Sequence, residues 1–309
     1  MHNYRVFDWN DLKHFLAVAR HGSTTAAAKI LGLSQSTVHR RLAELERRIG
    51  RRLVHRHPTG YRLTTLGEDL LPHAECIEEA VTAFERRLAA SDQDLTGTIR
   101  VACAELLVYR ITKSPLLDIF CARYPHLRVE FVMGDRYFDL SKGEADIAIR
   151  TGAPVDNDLV GRKIADLSWA VYASRSYVER HGRPKSAADL NAHSVIEFDG
   201  PLADRRPAQW LKDVAANAAV AARNSSMPGL IYAVKSGVGL APLPMPLGNA
   251  ESDLMCVLGP IPELESGWYL LVHPDLRRTP RVAAFFDFVI EQLEIVRAIL
   301  AGQPHKPEP

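Results

Sequence analysis

The chain contains 309 residues, too many for one compact core, so its length predicts two or three domains. Hydrophobic residues form 47% and charged residues 24% of the composition, as is ordinary for a soluble protein, and no apolar run approaches the roughly 20 residues that span a bilayer. The net charge is only +1, which by itself argues against a nucleic-acid-binding protein.

The charge is unevenly distributed along the chain. Residues 1–66 contain 12 Lys and Arg but only 4 Asp and Glu, a net charge of +8. The remaining 26 basic and 33 acidic side chains leave the rest of the chain at −7. A small basic module joined to a larger, mildly acidic one favours DNA binding by the first module.

The first residues and the cysteines indicate the compartment. Residues 1–12 lack the apolar core of a signal peptide, so we expect a cytoplasmic protein that does not associate with a membrane. The cysteines have neither CxxC nor zinc-finger spacing, so we expect reduced thiols, no metal and no cofactor. They are Cys76, Cys103, Cys121 and Cys256.

Three helices are predicted in the first 50 residues, because residues that favour helix caps flank periodic apolar segments. The predictions are a helix through Arg20 capped by Asp8 or Asn10, a helix over 24–31 between Ser23 and Gly32, and a helix from 35 to about 49 between Ser34 and Gly50.

The third predicted helix has an apolar stripe and an opposite polar face. The stripe comprises Val38, Leu42, Leu45 and Ile49, and the opposite face comprises Ser36, Arg40, Ala43 and Arg47. Two helices joined by a Gly-containing turn, the second with a basic outer face, predict a DNA-binding helix-turn-helix. The alternative is a helical hairpin with a solvated charged face, against which the +8 charge of the module argues.

The first turns of this third helix would enter a major groove. Arg40 can bind guanine through two hydrogen bonds, and Gln35 can bind adenine in the same way. The remaining candidates for base or phosphate contact are Ser23, Thr25, Ser34, Ser36, Thr37, His39, Arg41, Arg47, Arg51 and Arg52.

A small hairpin is predicted next, from segments 53–56 and 61–64 around the Pro- and Gly-containing residues 57–60. With Arg56 and Arg62 it would form a wing that reaches the minor groove or phosphates. The alternative is an ordinary surface hairpin.

Residues 65–68 read Thr-Leu-Gly-Glu, a capping box that predicts a long helix to about Ala90. A seam of apolar residues at the a and d heptad positions of this helix favours a dimer, which would supply two DNA-binding domains. The alternative is packing against the core of the same chain. The seam comprises Leu70, Ala74, Ile77, Val81, Phe84 and Leu88.

Strands alternating with helices follow a polar hinge at 91–97, which predicts mostly parallel sheets in two α/β lobes and a disordered tail at 301–309. The predicted strands are 98–102, 127–133, 146–150, 169–173, 195–198, 219–223, 239–243, 254–258 and 268–273. The predicted helices are 110–124, a short one near 137–142, 176–181, 227–235 and 281–300.

A small-molecule site is predicted beyond the carboxyl ends of these strands, where backbone N–H groups and helix starts converge. The candidate residues are Ala104, Glu105, Leu106, Gly134, Asp135, Arg150, Thr151, Phe198, Asp199, Ser225 and Ser226.

Several motifs resemble those of the LysR-type transcriptional regulators, over essentially the whole chain. In the N-terminal part they are Trp9-Asn10-Asp11-Leu12 with Phe15, Gly22-Ser23, Ala26-Ala27, Leu31, Ser34-Gln35, Leu45-Glu46, Ile49-Gly50, Leu53, Arg56, Leu63-Thr64 and Gly67. In the C-terminal part they are Tyr124-Pro125 and the segments 143–149 and 237–244. Ser36, His39, Val54 and Glu105 depart from the family's usual residues, so the resemblance leaves the preferred DNA sequence open.

The resemblance implies an N-terminal winged helix-turn-helix over 1–64, a linker and dimerisation helix over 65–90, and an effector-binding domain over 98–300 that resembles a periplasmic binding protein. Its first lobe would be 98–162 with 268–300, and its second 163–267. The resemblance also implies double-stranded DNA with an inverted-repeat operator, a small-molecule effector, and homodimers that form homotetramers. RNA polymerase is a further candidate partner.

Other functions have less support. No HExxH, nucleophile elbow or P-loop is present, so we expect no enzyme and no catalytic residues. A solute-binding or enzyme-like α/β protein with an incidental basic N-terminal module is the main alternative. A thiol redox sensor would need a close cysteine pair.

Overall fold

A computed structural model of the chain describes residues 8–58, 60–90, 95–152 and 159–302. They form two compact units, residues 1–85 and 86–309. The predicted hinge residues 91–94 and most of the predicted tail, 303–309, lie outside the described residues. None of the helices in the described ranges has the length and apolarity needed to cross a bilayer.

Unit 1 is a three-helix head with a hairpin and the start of a long helix. Its elements are α1 Trp9–His21, α2 Thr24–Leu31, α3 Gln35–Ile49, β1 Val54–His57, β2 Gly60–Leu63 and the part of α4 Thr65–Ala90 that precedes residue 86. The fold class predicted for this part, a winged helix-turn-helix, is confirmed. Its core contains Phe15, Leu16, Val38, Leu42 and Leu45, each at most 3% exposed.

The predicted caps of the first three helices are confirmed. Asp8 accepts a hydrogen bond from Asn10 N, Ser23 from Ala26 N and Ser34 from Thr37 N. Gly22, Gly32 and Gly50 end the helices in the left-handed conformation. Local sequence therefore sets the three boundaries of the helix-turn-helix.

The capping box predicted at 65–68 is wrong. The cap of α4 is Thr64, whose Oγ1 accepts from Gly67 N at 3.0 Å and donates to the carbonyl of Arg52 at 2.9 Å. Thr64 N in turn donates to the carbonyl of Leu53. The residue at the end of the hairpin therefore starts the helix, because one side chain joins both elements.

Unit 2 contains two lobes. The elements of lobe one are β3 Gly97–Cys103, α5 Glu105–Thr112, α6 Leu116–Arg123, β4 Leu127–Met133, β5 Ile147–Thr151, β6 Val160–Leu167, β12 Ser266–Val272, α11 Pro274–Arg277, α12 Pro280–Glu291 and α13 Leu293–Ala301. Those of lobe two are β7 Trp169–Ser174, α7 Arg175–His181, β8 Ser194–Phe198, α8 Arg206–Val214, β9 Ala219–Asn224, α9 Met227–Lys235, β10 Ala241–Pro244, α10 Met245–Gly248 and β11 Leu254–Leu258.

The sheets are mixed, which corrects the prediction of mostly parallel sheets. Lobe one has the strand order β4-β3-β5-β12-β6, in which β3 is parallel to β4 and β5 but β12 is antiparallel to β5 and β6. In lobe two β7 is antiparallel to both neighbours, β10 and β11, while β8 and β9 are parallel. Strand β12 brings the chain back from lobe two into the sheet of lobe one. Its direction follows from the place at which the chain re-enters that sheet.

The two predicted lobe boundaries fall inside strands. The boundary at 162/163 lies within β6 and the one at 267/268 within β12, and both strands pair along their length in the sheet of lobe one. β6 itself was not predicted. Its pairing with β12 contains a bulge at Ile164, which interrupts the alternation of buried and exposed residues.

Three predicted helices also differ. The helix over 110–124 is broken, because Pro115 lacks an N–H and its ring opposes a continuing helix. The segment 137–142 is a turn, in which Asp139 accepts from Ser141 N and Lys142 N. The closing helix divides at Gln292, where α12 packs on β3 but α13 packs on α5 and β6.

Helix α8 was not predicted, although Pro207, Ala208, Leu211 and Ala215 are buried at helical spacing.

Candidate functional sites

The first candidate site is the exposed start of α3. Gln35, Ser36, His39 and Arg40 are exposed, and we call these four residues the reading face. Ser34 fixes the first turn: its Oγ lies 2.8 Å from Thr37 Oγ1 and 2.9 Å from Ser36 Oγ. The turn therefore presents polar side chains from a rigid backbone, as base recognition requires.

Gln35 is anchored to the second helix. Its Nε2 donates to Oγ1 of the buried Thr24 at 3.2 Å, so one amide N–H is committed inside unit 1. The Oε1 atom and the second N–H remain for an adenine edge. This bond fixes the side chain in advance, which lowers the entropy cost of a base contact.

Two of the predicted DNA-binding arginines form ion pairs inside unit 1. Arg41 lies 3.3 Å from the carboxylate of Asp11, which has no exposed surface. Arg48, which is outside the predicted set, lies 3.8 Å from the same carboxylate. Arg47 contacts Glu44 at 2.5 Å. Hydrogen bonds from Arg47 and from Arg48 lower the pKa of the Glu44 carboxyl to about 2. By contrast, the described residues offer Arg40 no ion pair.

Ser23 and Thr25 lie at the start of α2 as predicted. The Ser23 hydroxyl is the helix cap, whereas the Thr25 side chain is exposed. Lys29, near the end of the same helix, is exposed as well. The sequence offered no reason to select it, since one lysine on a short helix has no distinguishing pattern.

The hairpin places its two arginines on opposite faces. β1 and β2 pair His55 with Arg62 and Arg56 with Tyr61, and successive residues of a strand alternate. Arg62 therefore shares a face with His55, and Arg56 shares one with Val54. Both arginines are exposed. The wing can contact DNA with one face, so we expect one of these arginines to contribute most.

Two contacts hold the wing in place. Glu46 Oε1 accepts from Leu53 N at 2.8 Å and from Val54 N at 3.1 Å, which fixes the hairpin to α3. Tyr61 N donates to the carbonyl of Gly22 at 2.7 Å. Gly60 has a φ of 132° and a side chain there would collide with that same carbonyl, so only glycine fits. The role of Glu46 could not be read from helical periodicity.

The predicted seam of α4 divides into two parts. Leu70 and Ala74 pack against the core of unit 1, so the alternative of packing within one chain holds for them. Further along, Ile77 is 39%, Phe84 69% and Leu88 63% exposed, and Val81 is half-buried. The second part of the seam is therefore the apolar surface that a partner helix could cover.

The second candidate site is a cavity of about 1230 Å³ between the two lobes of unit 2. Seven of the eleven predicted effector residues line it: Ala104, Leu106, Gly134, Asp135, Arg150, Thr151 and Phe198. The other four, Glu105, Asp199, Ser225 and Ser226, do not. Glu105 is exposed on α5, Asp199 accepts from Gly200 N, and Ser226 caps α9 by accepting from Gly229 N.

Residues that the sequence did not select complete the lining. Lys163 lies on the unpredicted strand β6, and Arg205 and Arg206 precede or begin the unpredicted helix α8. Tyr137 and Trp268 add aromatic surface. If β6 and α8 had been predicted, Lys163, Arg205 and Arg206 could have been assigned to the cavity.

Arg110 lines the same cavity and is held by backbone carbonyls. It donates to Pro246 O at 2.7 Å and to Ile299 O and Leu300 O at 3.4 Å. Burial lowers the pKa of its guanidinium. Because carbonyls satisfy the donors without neutralising the charge, Arg110 adds positive potential to the cleft.

The cysteines give no support to a thiol redox sensor. All four are free. Cys103 lines the cavity and is 4% exposed, and burial raises the pKa of its thiol to about 12. Such a thiol is a poor nucleophile near neutral pH, since thiolate is the reactive form. Among the described residues, no group of His, Cys, Asp and Glu could hold a metal ion.

Comparison with known proteins gives two family matches. Residues 9–68 match the bacterial regulatory helix-turn-helix protein, lysR family, and residues 92–294 match the LysR substrate binding domain. An HTH-type transcriptional regulator of Xanthomonas campestris is 36% identical over 189 residues, which are 61% of this chain and 55% of that protein. The chain thus spans little more than half the length of that relative.

Longer matches cover nearly the whole chain. A putative transcriptional regulator of Pseudomonas aeruginosa is 31% identical over 298 residues, 93% of this chain and 95% of that protein. The structure of CrgA, a LysR-type transcriptional regulator from Neisseria meningitidis, superposes with a TM-score of 0.54 at 26% identity. This match covers 93% of this chain and 99% of CrgA.

Proposed function

The chain belongs to the LysR family of transcriptional regulators, and on that premise we propose that it binds an inverted-repeat operator as a homodimer under the control of a small molecule in the interlobe cavity. The observation that carries the DNA half of this proposal is the rigid, exposed reading face at the start of α3. On the same premise we propose that it acts in the cytoplasm, where bacterial chromosomal DNA lies.

We assign base recognition to the reading face. Arg40 would bind a guanine edge, because its guanidinium is exposed and free of internal ion pairs among the described residues. Ser36 and His39, which depart from the family's usual residues, would give this chain its own base preference. Arg41 and Arg47 would contribute less, since Asp11 and Glu44 compete for their charge.

Phosphate contacts would come from the surroundings of the reading face. Thr25 lies at the N-terminus of α2, where free N–H groups and the helix dipole favour an anion. Arg51, Arg52 and the wing arginines Arg56 and Arg62 are exposed. These contacts position the protein on DNA without specifying sequence.

The effector half of the proposal is supported by the cavity. Its volume of about 1230 Å³ accommodates a metabolite, and its lining includes aromatic and positively charged side chains. An effector that binds one arrangement of the two lobes more tightly than another would change how the two DNA-binding domains of a dimer contact DNA. We include the homotetramer and RNA polymerase as partners on the family resemblance alone.

The Arg40→Ala variant tests the assignment of base recognition. Fluorescence anisotropy with the upstream intergenic DNA and single-base variants should show a loss of discrimination of about 1–3 kcal/mol at one base pair. Arg51→Ala is the matched control and should weaken binding to all sequences equally. An equal loss by Arg40→Ala on operator and scrambled DNA would assign Arg40 to phosphate contact.

A thermal-shift screen of metabolites tests the effector half. A ligand at 100 times its Kd stabilises the folded state by about 2.7 kcal/mol. The shift should disappear when a lining residue such as Phe198 is changed to Trp, which fills part of the cavity. A hit whose shift survives that change would bind elsewhere.

A further inference from the structure

Two segments join the lobes covalently. Ser168 connects β6 to β7, and residues 259–265 connect β11 to β12. The buried core residues of the lobes form separate clusters. The lobes can therefore change their angle by bending at these connections while each core stays packed.

Asp135, in the loop after β4 of lobe one, makes two hydrogen bonds with lobe two. Its Oδ2 accepts from Met227 N, in the first turn of α9, at 3.0 Å. Its backbone carbonyl accepts from Arg205 Nη2 at 2.8 Å. The first bond also places a carboxylate at the positive end of a helix dipole.

Arg205 makes a further contact with the same loop. Its guanidinium carbon lies 3.4 Å from the ring centroid of Tyr137. One side chain of lobe two thus binds the loop both through a carbonyl and through an aromatic face. Asp135, Arg205 and Met227 are half-buried, which strengthens these contacts relative to exposed ones.

The loop is anchored on its own lobe. Tyr137 OH donates to Thr151 O at 2.9 Å, and Gly134 N donates to Cys103 O at 3.2 Å. Arg136 forms an ion pair with Glu144 at 2.7 Å. Because the loop is held at three points, it cannot follow lobe two when the lobes separate, and the contacts of Asp135 and Tyr137 must break.

We propose that Asp135, Tyr137 and Arg205 form an interlobe latch whose release controls opening of the cavity. All three residues line the cavity, so a molecule that enters it meets the latch directly. This inference goes beyond the proposed function, since the latch acts with or without an effector. Arg110 makes a separate interlobe bond to Pro246, so loss of the latch loosens the lobes without separating them.

Cys103 reports on opening, because it lines the cavity from lobe one and is 4% exposed. The experiment measures iodoacetamide labelling of each cysteine by mass spectrometry in the full-length chain. Arg205→Gln and Asp135→Ala should label Cys103 about tenfold faster than the unmodified chain, as expected for loss of a charged hydrogen bond. Asp135→Asn retains an acceptor and should have a smaller effect.

Arg206→Gln is the matched control. Arg206 is adjacent to Arg205 and lines the same cavity, but it donates to Glu263 O in the segment that connects β11 to β12, and not to the loop after β4. It should label at the unmodified rate, as should the exposed thiols Cys76, Cys121 and Cys256 in every variant.

Four results would overturn the latch. Unchanged Cys103 labelling in Arg205→Gln would show that this side chain does not hold the lobes. Equal acceleration by Arg206→Gln would indicate a general effect of cavity charge. Acceleration at all four thiols would indicate loss of folding, and faster hydrogen exchange confined to α9 in Asp135→Ala would assign Asp135 to helix capping alone.

Discussion

Glu46 joins the recognition helix to the wing, and its removal has a calculable cost. In the Glu46→Ala variant, Leu53 N and Val54 N lose the acceptor that they share. Leu53 is 1% and Val54 4% exposed, so water cannot readily replace the carboxylate. Two buried backbone donors are therefore left without a partner.

The expected loss follows from those two donors. An orphaned buried donor costs about 1–3 kcal/mol, and the two amides are adjacent and share one oxygen, so we expect about 3 kcal/mol in the free energy of unfolding of unit 1. For a domain of this size, such a loss lowers the unfolding midpoint by about 10–20 °C. Glu46→Gln keeps an oxygen acceptor and should cost about 1 kcal/mol.

The measurement is denaturant titration of the full chain, followed by hydrogen exchange in peptides from residues 35–63, which isolates unit 1. Glu44→Ala is the control: Glu44 lies on the same helix, and its ion pairs are with the exposed Arg47 and the half-buried Arg48, so the midpoint should change little. Operator binding should fall in Glu46→Ala at temperatures where unit 1 remains folded, because the wing is no longer held. A Glu46→Ala variant as stable as Glu44→Ala would refute the reasoning.

Two further predictions concern α4 and the buried thiol. Phe84→Glu, which places a charge on a 69% exposed apolar residue, should shift the proposed dimer to monomer in sedimentation equilibrium, whereas Phe84→Leu should not. A stable dimer of the Phe84→Glu variant would exclude this part of α4 from the proposed interface. At pH 8, Cys103 should react with iodoacetamide at least tenfold more slowly than Cys121, since burial raises its pKa to about 12; equal rates would show that the thiol is accessible.

The DNA-binding head could be predicted nearly to the residue because its boundaries are local. Each helix of the helix-turn-helix starts at a side chain that caps it and ends at a glycine in the left-handed conformation. The one error, a cap placed at Thr65 rather than Thr64, arose from a tertiary contact. Thr64 bonds to the carbonyl of Arg52, twelve residues earlier, and no local pattern reports that bond.

The ligand cleft was predicted only in part because its walls depend on distant pairing. Lys163 reaches the cavity on β6, a strand identified by its partner β12 a hundred residues later and not by its own alternation. Arg205 could not be placed at the cavity from the sequence, since its contacts with Asp135 and Tyr137 span about 70 residues of chain. The rule that ligands bind beyond the carboxyl ends of strands selected seven residues that line the cavity and four that do not, because it could not say which side chains face inward.

The ion pairs of unit 1 narrow the set of residues that can discriminate bases. A buried Asp11 with no exposed surface holds Arg41, and Glu44 holds Arg47 through a hydrogen-bonded pair, so a DNA contact by either arginine must first compete with an internal carboxylate. Arg40 faces no such competition in the part of the chain described. The composition of α3 does not distinguish its arginines from one another. Sequence preference should nevertheless follow changes at Arg40 and at its neighbours Ser36 and His39 more closely than changes at the other arginines of the helix.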